Sequence, residues 1–234
     1  MNRIERLGII CISAIIMNLP LASHSAPLPT NTWQRHLIDG ALPYNAVFID
    51  AADLNGDKRP DMITGPYWYQ NPGKISEPWT RHTVGTPFNN FAAVFDFDND
   101  GDMDLFGTSG MHQNGVFCWA RNDGAGNFAV LTNISGTPND FLQGVSVGKF
   151  QGTQNQIALS WHKKTLNLNQ IITVPANPSS TTWSIATLYA FSENEALSSG
   201  DIDADGDLDL LLGINWMRNN TSSWSQHVLG QVSD

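Results

Sequence analysis

An all-β fold built from four repeated units is what this sequence predicts, and three observations carry the prediction. The first is a nine-residue acidic loop that occurs three times in one register, as DLNGDKRPD at 53–61, DFDNDGDMD at 96–104 and DIDADGDLD at 201–209. The second is the flanks: short apolar segments precede each loop (46–52, 91–95, 196–200) and follow it (62–65, 105–107, 210–214). The third is spacing. A degenerate fourth copy, VGKFQGTQNQIAL at 147–159, puts the loop starts at 53, 96, 149 and 201, or 43, 53 and 52 residues apart. Units of that length with four short strands each are what β-propeller blades look like. Pro and Gly punctuate the junctions, and no amphipathic helix is visible.

Taken in order, residues 1–25 read as a secretory signal peptide. Arg3 and Arg6 give a basic start, 7–17 form an apolar run, and Ser23 and Ser25 stand at −3 and −1 of a cut before Ala26. Asn18 and Pro20 end the run too early to span a bilayer. Residues 26–234 form the repeat domain. A W-x-x-H-x-aliphatic segment closes the units, as WTRHTVG at 79–85 and WSQHVLG at 224–230, with degenerate forms NFAVLTNI at 127–134 and WSIATLY at 183–189. It also stands ahead of the first unit, as WQRHLIDG at 33–40. His36, His82 and His227 share one repeat position and read as structural, and Trp33, Trp79 and Trp224 read as packing between blades. The expected architecture is therefore four blades plus one extra outer strand at 33–39. Because the last unit carries its own closing strand, the ring is expected to be partial or open.

Each acidic loop places side-chain oxygens at positions 1, 3, 5 and 9: Asp53, Asn55, Asp57, Asp61; Asp96, Asp98, Asp100, Asp104; Asp201, Asp203, Asp205, Asp209. Position 7, held by Arg59, Asp102 and Asp207, would contribute its backbone carbonyl. Six to eight oxygens around one point suit calcium, so up to three calcium ions are expected as the cofactor. Gly101 and Gly206 at position 6 supply a turn with positive φ, whereas Lys58 stands there in the first loop and marks the weakest site. An EF-hand is rejected, since its position 12 would be Thr64, Gly107 and Leu212, and the flanks alternate like strands. In the fourth copy Lys149, Gln151 and Thr153 replace the carboxylates, its loop is one residue shorter, and it is expected to bind nothing.

The net charge of −10, or −11 without Arg3, Glu5 and Arg6, reports these loops, which hold 13 of the 22 acidic residues. No basic patch exists to meet phosphates, so nucleic acid is not an expected partner. Cys11 leaves with the signal peptide and Cys118 remains alone in VFCWA, so no disulfide framework is available and metal must take over some stapling. No zinc motif, phosphate-cradling loop or nucleophile elbow appears. On the face opposite the acidic loops, Tyr44, Asn89, Asn90, His112, Asp140, Trp161, His162 and Glu193 offer rings, amides and carboxylates of the kind that bind sugars. His162 followed by Lys163 and Lys164 gives a base and cations of the kind a uronate lyase needs.

The pattern D-x-D-x-D-G-x-x-D-L, with WYQNPG and WTRH segments behind it, resembles the FG-GAP or VCBS repeat family of integrin-like propellers over nearly all of residues 32–230. The resemblance implies a secreted, periplasmic or cell-surface propeller with structural calcium between the first two strands of each blade. It also implies a non-catalytic binding or adhesion module for carbohydrate or extracellular protein, with a polysaccharide lyase or other sugar-processing propeller as the rival. Family members usually have about seven blades. A chain with four is expected to be a partial propeller, either a truncated product or one that pairs with another chain to close the ring.

Overall fold

The structure is a computed structural model, and the residues it describes are 35–41, 47–110, 115–138, 140–162, 169–189 and 197–230. The signal-peptide segment, Trp33, Tyr44, His112 and Glu193 lie outside them. The chain divides into a short unit ending at His36 and a unit from Leu37 to Asp234, which holds all the described strands.

Sixteen strands form four antiparallel four-stranded sheets, and no helix occurs among the described residues. The first sheet is β1 (Ile49–Ala52), β2 (Asp61–Thr64), β3 (Tyr67–Gln70) and β4 (Thr80–Thr83). The second is β5 (Asn90–Phe95), β6 (Asp104–Thr108), β7 (Phe117–Asn122) and β8 (Phe128–Leu131). The third is β9 (Leu142–Gly148), β10 (Gln156–Trp161), β11 (Asn169–Thr173) and β12 (Ser184–Tyr189). The fourth is β13 (Leu197–Gly200), β14 (Asp209–Leu212), β15 (Asn215–Asn219) and β16 (Trp224–Val228). Each is a meander in chain order, so every acidic loop joins the first and second strands of its own sheet.

Antiparallel partners share a face of a sheet, which gives each sheet a trailing face toward the next and a leading face toward the previous one. Trailing residues of the first sheet (Leu54, Ile63, Trp68) are buried with leading residues of the second (Phe91, Leu105, Cys118, Ala120). Phe97, Phe106 and Trp119 behind the second meet Ile157, Ile172 and Trp183 of the third. Phe150, Ala158 and Ile171 behind the third meet Leu210, Leu212 and Met217 of the fourth. The apolar alternation of the strands therefore becomes three cores between four sheets, each fully buried large side chain contributing about 1.5–3 kcal/mol. The first strands also stack in order, β1 on β5, β5 on β9 and β9 on β13. Approach is close enough there that a Cβ on Gly144 of β9 would sit 2.5 Å from the Leu197 backbone nitrogen of β13.

The expected extra outer strand is not formed over the described residues 35–39. Asp39 turns the chain instead. Its carboxylate accepts from the Ala41 N–H at 2.8 Å, from the Tyr69 hydroxyl at 3.0 Å and from Arg81 Nη1 at 2.8 Å, so the segment is tied to β3 and β4 by side chains. Those bonds, the Ala41 N–H first, hold Asp39 below the usual carboxylate range, and burial, helped by the bond to Asp39 and its charge and opposed by Arg81, pushes the Tyr69 hydroxyl up to about 12. No helix among the described residues is long and apolar enough to cross a membrane.

Candidate metal centres

All three acidic loops fold on the same internal hydrogen bonds. The position 1 carboxylate accepts from the N–H groups of positions 5 and 6: Asp57 and Lys58 on Asp53, Asp100 and Gly101 on Asp96, Asp205 and Gly206 on Asp201, at 2.7–3.2 Å. Position 5 accepts from the N–H of position 7, at 2.9 Å for Asp57, 3.1 Å for Asp100 and 3.0 Å for Asp205. Position 9 is buried at the start of the second strand and bridges two elements. One of its oxygens takes the position 2 N–H (Leu54, Phe97, Ile202) and the other the N–H of Asn71, Asn122 or Asn219 at the end of the third strand. Positions 4 and 6 both lie at positive φ, 75° and 67° at Gly56 and Lys58, 61° and 97° at Asn99 and Gly101, and 61° and 97° at Ala204 and Gly206.

This framework turns the carboxylates inward. Oxygens of Asp96, Asp98 and Asp104 lie within 4.8 Å of one another, as do those of Asp201, Asp203 and Asp209. Asp98 Oδ1 is buried and has no hydrogen-bond partner. An orphaned carboxylate oxygen among all-oxygen donors fits a hard divalent cation, with Asp96, Asp98 and Asp104 in the second loop and Asp201, Asp203 and Asp209 in the fourth as its holders. Burial pushes Asp104 up to about 7, helped by the charges of Asp98 and Asp100 and opposed by the N–H groups of Asn122 and Phe97. Burial likewise raises Asp61. A cation between the carboxylates would reverse this by favouring their charged forms.

Two arginines invisible to the loop pattern complete these sites. Arg121 of β7 forks onto Asp98 Oδ2 at 2.6 Å and Asp100 Oδ2 at 3.1 Å. Arg218 of β15, at the matching position, pairs with Asp203 Oδ2 at 2.5 Å and Asp205 Oδ2 at 3.2 Å. Positions 3 and 5 thus share a guanidinium, and the like charge in each loop is already partly offset. In the first loop Arg59 draws the Asp57 carboxylate to itself at 2.5 Å. That loop does not gather three carboxylates as the other two do, because Asn55 stands at position 3 where they carry Asp98 and Asp203; Lys58 adopts the required backbone at φ 67°.

The fourth copy forms the third loop, between β9 and β10, with a neutral substitute for the bridging Asp. Gln156 Oε1 accepts from the Gln151 N–H at 2.7 Å, and its Nε2 donates to Thr173 Oγ1 at 3.1 Å. The connection closes without a buried charge. A further repeated residue escaped the loop pattern, the Asn at the end of the third strand. Asn122 Nδ2 donates to Met103 O of its own loop at 3.1 Å and to Leu54 O of the preceding loop at 2.9 Å. Asn219 Nδ2 does the same with Leu208 O and Phe150 O. Asn71 holds Pro60 O of its own loop at 2.9 Å. Its signal in sequence was the shared ending of WYQN, WARN and WMRN.

The expected sugar face comes out differently. Trp161 is fully buried, its ring against Phe117 and its Nε1 donating to Gln170 at 3.0 Å, so neither ring face is open for stacking. Asn90 is buried in β5 and Asn89 is half-buried beside it, because apolar neighbours Phe88 and Phe91 carry this stretch into the core. Asp140 and His162 do come together, Nδ1 to Oδ2 at 3.8 Å, with His162 exposed and Asp140 buried. His82 stacks on Trp68 at 4.2 Å and His227 on Trp216 at 4.8 Å, the structural role expected of that repeat position. Cys118 is buried in β7, and burial pushes its thiol up to about 12, which leaves no thiolate for chemistry.

Compared with protein-family models, with curated proteins and with solved structures, the chain matches none.

Proposed function

We propose that this chain is a calcium-binding β-propeller of the FG-GAP or VCBS type, exported from the cell and acting as a non-catalytic binding module for carbohydrate or protein. The observation that carries the reading is the pair of three-carboxylate clusters, built by identical loops at the same place in two sheets. One four-stranded sheet per repeat, with first strands stacked in order, supports the propeller. Calcium would supply charge neutralisation and pin each connection between first and second strands; the protein supplies preformed loops in which backbone N–H groups already orient the position 1 and position 5 carboxylates.

The way several reactive groups are engaged supports the non-catalytic reading. The loop carboxylates are held by N–H groups and arginines, the paired histidines by tryptophan rings, and Cys118 by burial. The His162–Asp140 pair favours a second reading, a polysaccharide lyase with His162 as base. A glycan array probed in millimolar calcium, followed by incubation with the best hit, separates the two. Binding without new reducing ends or unsaturated products is expected; unsaturated uronate products that disappear in His162→Ala would select the lyase.

A further inference from the structure

The three joints between sheets follow one rule, and the rule leaves two faces unused. Position 2 of each loop and the facing third-strand residue form the trailing face, and the next sheet buries them. Leu54 and Phe97 are fully buried, Phe150 is 2% exposed, and Trp68 and Trp119 are buried with them. In the fourth sheet the matching Ile202 is 42% exposed and Trp216 is only half-buried. Two further contacts recur, each at two of the three joints. A Trp at the start of a fourth strand leans on the position 2 ring of the preceding sheet, Trp183 on Phe97 at 5.5 Å and Trp224 on Phe150 at 6.4 Å. The Asn at the end of the third strand donates to the position 2 carbonyl of the preceding sheet, Asn122 to Leu54 and Asn219 to Phe150.

The first sheet carries the missing half of such a joint. Its leading face shows Ile49 at 66% exposure and a half-buried Met62, where the equivalents of Met62 (Leu105, Ile157, Leu210) are fully buried. Asn71 bonds the carbonyl of its own loop, and no sheet precedes the first among the described residues to take its second N–H. Trp79 stands where Trp183 and Trp224 stand. The Asp39 segment lies on Tyr69 and Arg81, as the connection at 133–136 lies on Trp183 and Ile185 in the third sheet. It fills a place that an internal joint also fills, and leaves Ile49 and Met62 open.

We propose that the trailing face of the fourth sheet is a docking surface for the leading face of the first sheet in a second copy of this chain. Asn71 of one copy donates to the Ile202 carbonyl of the other, and Trp79 covers Ile202. The joint is heterologous, so two copies close it twice into a ring of eight sheets, or many copies run on as a filament. The proposal rests on the repeat geometry and does not depend on metal.

Sedimentation velocity on the full chain between 1 and 100 µM, with and without EDTA, is the test. A dimer or larger assembly is expected, and Ile202→Asp should raise its dissociation constant at least tenfold with unchanged circular dichroism. Mixing an Ile202→Cys variant with an Asn71→Cys variant under oxidation should give a covalent dimer that neither gives alone. A wild-type chain that stays monomeric throughout, or an assembly that survives Ile202→Asp and yields no mixed disulfide, would overturn the proposal.

Discussion

Ala204 sits at φ 61° in the fourth loop, where its Cβ crowds the backbone and costs about 1–2 kcal/mol relative to an ordinary conformation. Gly56 and Asn99 fill the same position in the other loops at φ 75° and 61°. Ala204→Gly is therefore expected to stabilise the protein by up to about 1 kcal/mol in urea unfolding, the gain being trimmed by the freer unfolded chain. Position 6 was legible in the sequence because Gly recurs there; position 4 was not, because three different residues meet the same demand. Asp104 sets a pH dependence. Its pKa is raised from the ordinary carboxylate range to about 7 by burial, so the folded protein binds a proton more tightly than the unfolded chain. The stability this gives is complete below about pH 4 and is lost as pH rises through 7. In EDTA, Asp104→Asn should flatten the fall in melting temperature between pH 5 and 8; an unchanged slope would remove Asp104 as its source.

At the scale of the element, the loop and the strand behind it act as one unit. Asn122 donates to a buried carbonyl of the preceding loop and a partly buried one of its own, and truncating it leaves Leu54 O and Met103 O without that partner. Asn122→Ala is expected to cost about 1–3 kcal/mol. Asn71→Ala, which loses one such carbonyl, should cost less, and chemical denaturation of the two variants side by side checks the order. The strands, the acidic loops and the place of the third loop between β9 and β10 could all be read from the sequence, because alternation and the D-x-D-x-D spacing are local. Arg121 and Arg218 could not, lying 13 to 23 residues from the carboxylates they clamp, in an exposed position that any polar residue could occupy. Trp161 misled for the opposite reason. Its polar neighbour His162 suggests a surface, while β10 is buried on both faces along its whole length, Trp161 included.

For the whole molecule, four sheets in chain order with three apolar joints were legible in the repeat, and so was the absence of helices among the described residues. The extra outer strand at 33–39 was not, because the W-x-x-H pattern there lacks a sheet to join and Asp39 is used as a side-chain tie. What the account requires of the whole is that divalent ions hold the acidic loops in place. With dissociation constants near 10⁻⁴ M, as in extracellular modules, 10 mM calcium would add about 2.7 kcal/mol for each site filled. For a domain of this size that corresponds to roughly 5–10 °C per site. The most direct measurement is thermal unfolding of the wild-type protein and of the Asp98→Asn, Asp203→Asn double variant, each in EDTA and in 10 mM calcium. The account predicts a rise of about 10 °C or more for the wild type and little for the double variant; identical melting temperatures in EDTA and calcium for the wild type would contradict it.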